Sequence, residues 1–161
     1  MVSKLFTEDR RRYDSIIDQR DLLEDSYVIV GFQEGSVTHA QVKGGRAKKA
    51  GLSIAQIAAQ NEFGTDRIPA RPFMSTSFDE NRSKISRAIQ GEYAKIIAGD
   101  STVKKSLNLI GLYMTDLIQT KIRAIHYPPN SPRTIAAKKS SKPLIDFGQM
   151  IQSVRHKVVI R

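Results

Sequence analysis

Cysteine is absent from all 161 residues, which excludes disulfides, thiolate metal sites and cysteine nucleophiles. Long apolar runs are absent too: no stretch approaches the ~20 residues that span a bilayer, so no membrane span is expected. The opening MVSKLFTEDRRRYD lacks the apolar centre of a secretory signal, and intracellular synthesis is the expectation. Acidic residues are scarce in one region only. Residues 101–161 hold 11 Lys and Arg against Asp116 and Asp146, whereas residues 1–100 hold 15 against 14. The net charge of +10 therefore sits almost wholly in the C-terminal part, where it favours a polyanion or an acidic protein surface.

Catalytic constellations are missing as well. His39, His126 and His156 are far apart and form no ligand pair at helical spacing, so they read as surface or interface histidines and no metal is expected. Asp146-Phe147-Gly148 spells a kinase motif without the Gly-rich loop, strand lysine or catalytic loop that would use it. Gly44-Gly45 lacks the second glycine and the Lys-Ser/Thr of a phosphate loop, and no GxSxG elbow orients a serine. No cofactor and no enzymatic activity are expected.

What is present is a soluble, globular composition, with 40% hydrophobic and 26% charged residues and a mean hydropathy of −0.36. A chain this long suits one domain over 1–161, able to bury roughly 70% of its unfolded surface. Thr7 ahead of Glu8 and Asp9 marks a helix start, and Tyr13, Ile16, Ile17 and Leu23 carry its stripe to about Asp25. Tyr27 to Phe32 (YVIVGF) reads as a strand that Gln33-Glu34-Gly35 turns into Ser36 to Val42 as a hairpin. Lys43 to Gly51 reads as a loop, with Lys48 and Lys49 near its tip. Ser53 and Gln56 form a capping box opening a short helix that Gly64 ends, and Ser77 with Glu80 repeats the pattern.

From there Phe78, Ile85, Ile89, Tyr93, Ile96 and Ile97 run to Gly99, Asp100-Ser101 caps the next helix, and Val103 to Ile125 continues at helical spacing. The two make a long helical hairpin over 78–125, with core packing as the default use of its apolar faces. Val154 to Ile160 suits a terminal strand. The expected class is α+β: a small antiparallel sheet packed with helices, including a long antiparallel helix pair.

The string Ile57 to Met74 (IAAQNEFGTDRIPARPFM) resembles a signature of tailed-phage virion morphogenesis proteins, the neck and tail-completion group. The likeness lies in Asn61, Glu62, Phe63, Gly64, Thr65, Ile68, Pro69, Arg71, Pro72 and Phe73. Gly64 ends a helix, the prolines stiffen its exit, and Phe73 is expected to plug into the core. Arg71 is expected either to pair locally or, as an exposed cation, to point at a neighbouring subunit. A second block is similar to that family's closing segment: Asn130, Ser131, Pro132 and Thr134, then Pro143, Leu144, Asp146 and Gly148. Phe147 stands where the family pattern has Thr. The resemblance covers roughly residues 50 to 161.

It implies a non-enzymatic virion protein, made in the host cytoplasm, that forms a homo-oligomeric ring at the head–tail junction. Its partners would be copies of itself, six-fold in preference to twelve-fold, together with adjacent neck, connector or tail proteins. Genomic DNA would pass through the channel without sequence-specific contact. Lys48, Lys49, Lys138, Lys139 and Lys142 are the candidates for touching DNA or an acidic partner, as point charges. A free nonspecific DNA-binding protein and a phage-encoded metal-dependent nuclease are the alternatives, the latter lacking clustered carboxylates.

Overall fold

In the computed structural model the described residues are 2–33, 52–124, 132 and 148–161, and the side chains of 2–9 are left aside. The elements are α1 (Val2–Glu24), β1 (Tyr27–Phe32), α2 (Ile54–Phe63), α3 (Phe73–Ile97), α4 (Val103–Ala124), α5 (Gln149–Ser153) and β2 (Val154–Val159). The fold is α+β, with a two-stranded antiparallel sheet in the order β1-β2 and an antiparallel pair made of α3 and α4. β1 thus pairs with the C-terminal strand. The hairpin expected for Ser36 to Val42, and the loop from Lys43 to Gly51, lie outside the described residues.

The chain divides into two compact units, each built from separated segments. One comprises Met1–Val30, Arg82–Met114 and His156–Arg161. Its core is Ile96, Val103 and Leu107, against which Leu22, Leu23, Val28 and Val158 pack. Here α1 serves both sides of the α3–α4 turn. Arg12 Nη2 donates to Ala98 O at 2.6 Å, placing a cation on the carbonyls at the negative end of α3. Gln19 Oε1 accepts from Val103 N at 2.7 Å and satisfies an orphan amide at the start of α4. Between them Gly99 has φ +78, and a Cβ there would touch Arg12 and Ile16.

The starts of the helices differ from expectation in physically clear ways. α1 begins at Val2 rather than Thr7, because no breaker interrupts residues 2–6. α4 is capped by Thr102, whose Oγ1 accepts from Lys105 N at 3.3 Å, and by Gln19, rather than by Asp100-Ser101. The α3 stripe is not all core. Ile96 is buried, but Ile89, Tyr93 and Ile97, at i, i+4 and i+8, are 45%, 50% and 40% exposed. Tyr13 of α1 is exposed too.

The other unit comprises the described parts of Gly31–Asn81 and Thr115–Arg155. Ile54, Ala58, Phe73, Ile118, Ile122, Met150 and Val154 are its buried apolar residues, and α2 packs on α5. Lys121 Nζ reaches both Glu80 carboxylate oxygens at 2.7 Å, an ion pair across the antiparallel helices.

Candidate functional site

The segment from Ser53 to Ser75 is assembled by contacts that the sequence encodes residue by residue. Ser53 Oγ accepts from Gln56 N at 3.2 Å while Gln56 Oε1 accepts from Ser53 N at 2.8 Å, the reciprocal capping box that opens α2. Gly64 ends the helix with φ +76. A Cβ there would stand 2.9 Å from Ala70 N and 3.1 Å from Ile68 O, so the returning chain itself excludes any side chain. That return is a tight turn in which Thr65 N donates to Ile68 O at 2.8 Å and Ile68 N to Thr65 O at 3.1 Å. Thr65 Oγ1 also accepts from the amides of Arg67 and Ile68.

Asn61 and Glu62 then lock the exit from this turn. Asn61 O accepts from Arg71 N at 2.6 Å, and Asn61 Oδ1 accepts from Arg71 Nη1 at 3.0 Å. Asn61 Nδ2 is held in turn by Ile57 O at 2.8 Å, which fixes the amide with its oxygen toward the guanidinium. Arg71 is 4% exposed, and burial pulls its pKa below the ordinary guanidinium value. It is therefore tied within its own chain and is not the exposed cation that the sequence allowed. Phe73 is 1% exposed and meets Phe32 edge-on, with centroids 6.0 Å apart and planes at 88°, so the expected core plug is in place.

No protein-family model, curated protein or solved structure matches the chain.

The Glu62 carboxylate accepts from Met74 N at 2.9 Å, Ser75 N at 2.9 Å and Ser75 Oγ at 2.7 Å, and so caps α3 from the end of α2. An acid at the positive end of a 25-residue helix satisfies orphan amides and the dipole together. This corrects the expected start at Ser77 and Glu80: α3 begins one turn earlier, Ser77 is buried inside the helix, and Glu80 is free to meet Lys121. Glu62→Ala is expected to lower stability by about 1–2 kcal/mol, the usual cost of losing a helix cap. Glu62→Gln should recover part of that loss, and urea denaturation of the three proteins measures the order.

Phe63 behaves in the opposite way from its neighbours. It closes α2 between the inward-facing Asn61 and the obligatory Gly64, and it is 82% exposed. Pro69 is exposed and Pro72 half-buried, as stiffeners of the return path. In the second block, Gly148 adopts the left-handed conformation at φ +71 and opens α5, whose Met150 is buried. Pro132 is exposed. Asn130, Ser131, Thr134, Pro143, Leu144 and Asp146 lie outside the described residues, as do Lys48, Lys49, Lys138, Lys139 and Lys142. Among the described residues no group of His, Asp and Glu could hold a metal ion, and no helix is long and apolar enough to cross a membrane.

A basic cleft went unread in the sequence. Thr102, Lys104, Lys105, Asn108, His156 and Val158 line it, within one unit. The available signal was two adjacent lysines in the first turn of a helix, where the dipole disfavours cations.

Proposed function

We propose that this chain is a structural subunit of a tailed-phage virion that assembles into a ring at the head–tail junction. The exposure of Phe63 carries this reading. Within the segment that resembles the neck and tail-completion group, Asn61, Glu62, Arg71 and Phe73 are turned to intramolecular use, whereas the Phe63 ring is left to solvent. Aromatic side chains presented on a fixed backbone are what protein interfaces use as anchors. The exposed apolar stripe Ile89, Tyr93 and Ile97 gives further support, since a solvated helix has no use for it.

A ring closes through a head-to-tail interface, in which one patch on each copy meets a different patch on the next. Six copies are the preferred number and twelve the alternative. Adjacent neck, connector or tail proteins would stack on the ring, and DNA would pass through it without sequence-specific contact. No catalytic step is assigned.

Phe63→Glu tests the reading. Because the ring of Phe63 lies in solvent in the single chain, the substitution should change monomer stability by no more than about 0.5 kcal/mol. Loss of an interface anchor worth about 2 kcal/mol or more would weaken association roughly thirty-fold. Native mass measurement should show closed rings for the wild type and monomers for the variant. A wild-type protein that stays monomeric while binding duplex DNA would instead favour the free DNA-binding protein that the +9 of residues 101–161 also fits.

A further inference from the structure

The first two turns of α4 and the inward face of β2 line an open cleft of about 430 Å³. Val154, His156 and Val158 alternate to one side of β2, so His156 and Val158 face the helix while Arg155 and Lys157 are exposed on the other side. Gly111 admits the imidazole. A Cβ there would stand 2.5 and 2.7 Å from ring carbons of His156, so the histidine is seated by the lack of a side chain on α4. His156 Nε2, carrying its hydrogen, donates to Asn108 Oδ1 at 2.9 Å, which leaves the amide nitrogen as the donor of Asn108. Lys104, Lys105 and the Thr102 hydroxyl complete the lining, and none of the six lining residues is acidic.

Three facts set this cleft apart from ordinary solvated basic surface. Neither Lys104 nor Lys105 has a carboxylate within ion-pair distance among the described residues. Glu92, whose Oε1 is paired with Lys95, attracts Lys105 from longer range. Both ammonium groups also stand in the first turn of a 22-residue helix that has no acid there, an arrangement that costs helix stability. Two amides of that turn are already used, Val103 N by Gln19 and Lys105 N by Thr102, so most of the recognition chemistry is in the side chains. Two cations at the positive end of a helix, offset only at longer range by Glu92, break a local rule, and such breaks concentrate at functional sites.

We infer that this cleft binds a phosphate group, held by Lys104 and Lys105 with hydrogen bonds from Thr102 and Asn108. Two point charges and two neutral donors suit a group with several charged oxygens. The phosphate belongs either to a nucleic-acid backbone or to a free phosphate-bearing ligand. The inference stands on the cleft alone and does not depend on ring assembly.

The test uses the full chain and the double variant K104Q/K105Q. Thermal unfolding is followed against inorganic phosphate, with chloride at matched ionic strength as the reference. Wild-type melting temperature should rise with phosphate beyond the chloride control, as for any ligand that binds the folded state. The double variant should lose that response while starting, at low salt, at a melting temperature equal to or above wild type, because two cations have left the positive end of α4. That second readout separates lost binding from lost folding. Absence of a phosphate-specific shift in the wild type, or its persistence in K104Q/K105Q, overturns the inference.

Duplex oligonucleotide binding across a salt series identifies the source. If the site takes a backbone phosphate, the slope of log K against log salt should fall by about 1 in the variant, so that wild type loses roughly three- to fourfold more affinity than the variant between about 50 and 200 mM salt. A lost phosphate response with an unchanged slope assigns the site to a free phosphate-bearing ligand.

Discussion

Replacing Phe73 with alanine is expected to lower the free energy of unfolding by about 3–5 kcal/mol, enough to remove much of the stability of an ordinary domain. The ring is 1% exposed, so nearly all of it loses contact and leaves a cavity rather than a solvated surface. It is also the first residue of α3, and its partner Phe32 is the last residue of β1, so the deletion loosens a strand end and a helix start at once. Urea denaturation by circular dichroism measures the loss. Phe63→Ala, ten residues away in the same motif, is the control, and its stability should stay near wild type because that ring lies in solvent. A cost below about 1 kcal/mol for Phe73→Ala would mean that the Phe32–Phe73 contact is not part of the folded core.

The contrast between these two phenylalanines shows where the sequence is legible. Features closed within a few residues were open to reading: the Ser53–Gln56 box, the Gly64 stop and the strand at Tyr27 to Phe32. The antiparallel helix pair was legible from its spacing, although its ends were not. Its start depends on Glu62, eleven residues ahead of Phe73, and the start of α4 depends on Gln19, 84 residues away from Val103. Nothing local announces such caps, and the nearest local pattern, Ser77 with Glu80, points to a wrong boundary. Pairing of β1 with β2 is hidden for the same reason, since alternation identifies a strand and not its neighbour. Ile89, Tyr93 and Ile97 illustrate the remaining limit: periodicity shows that a helix has an apolar face, but the same pattern serves a core or a second chain.

Arg71→Glu carries the other large effect. An arginine beside two prolines in a loop reads equally as a local tie or as an interface cation, and its burial decides for the tie. In wild type the guanidinium donates to Asn61 Oδ1, and that amide cannot turn round without breaking its own bond to Ile57 O. A glutamate would therefore bring a carboxylate toward an acceptor, next in the chain to the carboxylate of Glu62, with little water to screen it. An uncompensated buried charge of this kind costs roughly 3–5 kcal/mol. Arg71→Met, which removes the charge but keeps most of the length, should cost less, about 1–3 kcal/mol for the unsatisfied Asn61 oxygen.

The pH dependence separates the two variants. Burial raises the folded-state pKa of the introduced carboxyl above its unfolded value near 4.3, so its contribution is most favourable below that value and is lost as pH rises through the folded pKa. The deficit of Arg71→Glu relative to wild type should therefore be largest at neutral pH and shrink on acidification toward about pH 4, while that of Arg71→Met should stay nearly constant. Denaturation curves of the three proteins at both pH values measure this directly. If Arg71→Glu unfolds with wild-type stability at neutral pH and fails only to assemble, Arg71 faces a neighbouring subunit, and the Asn61–Arg71 bond contributes nothing to the fold.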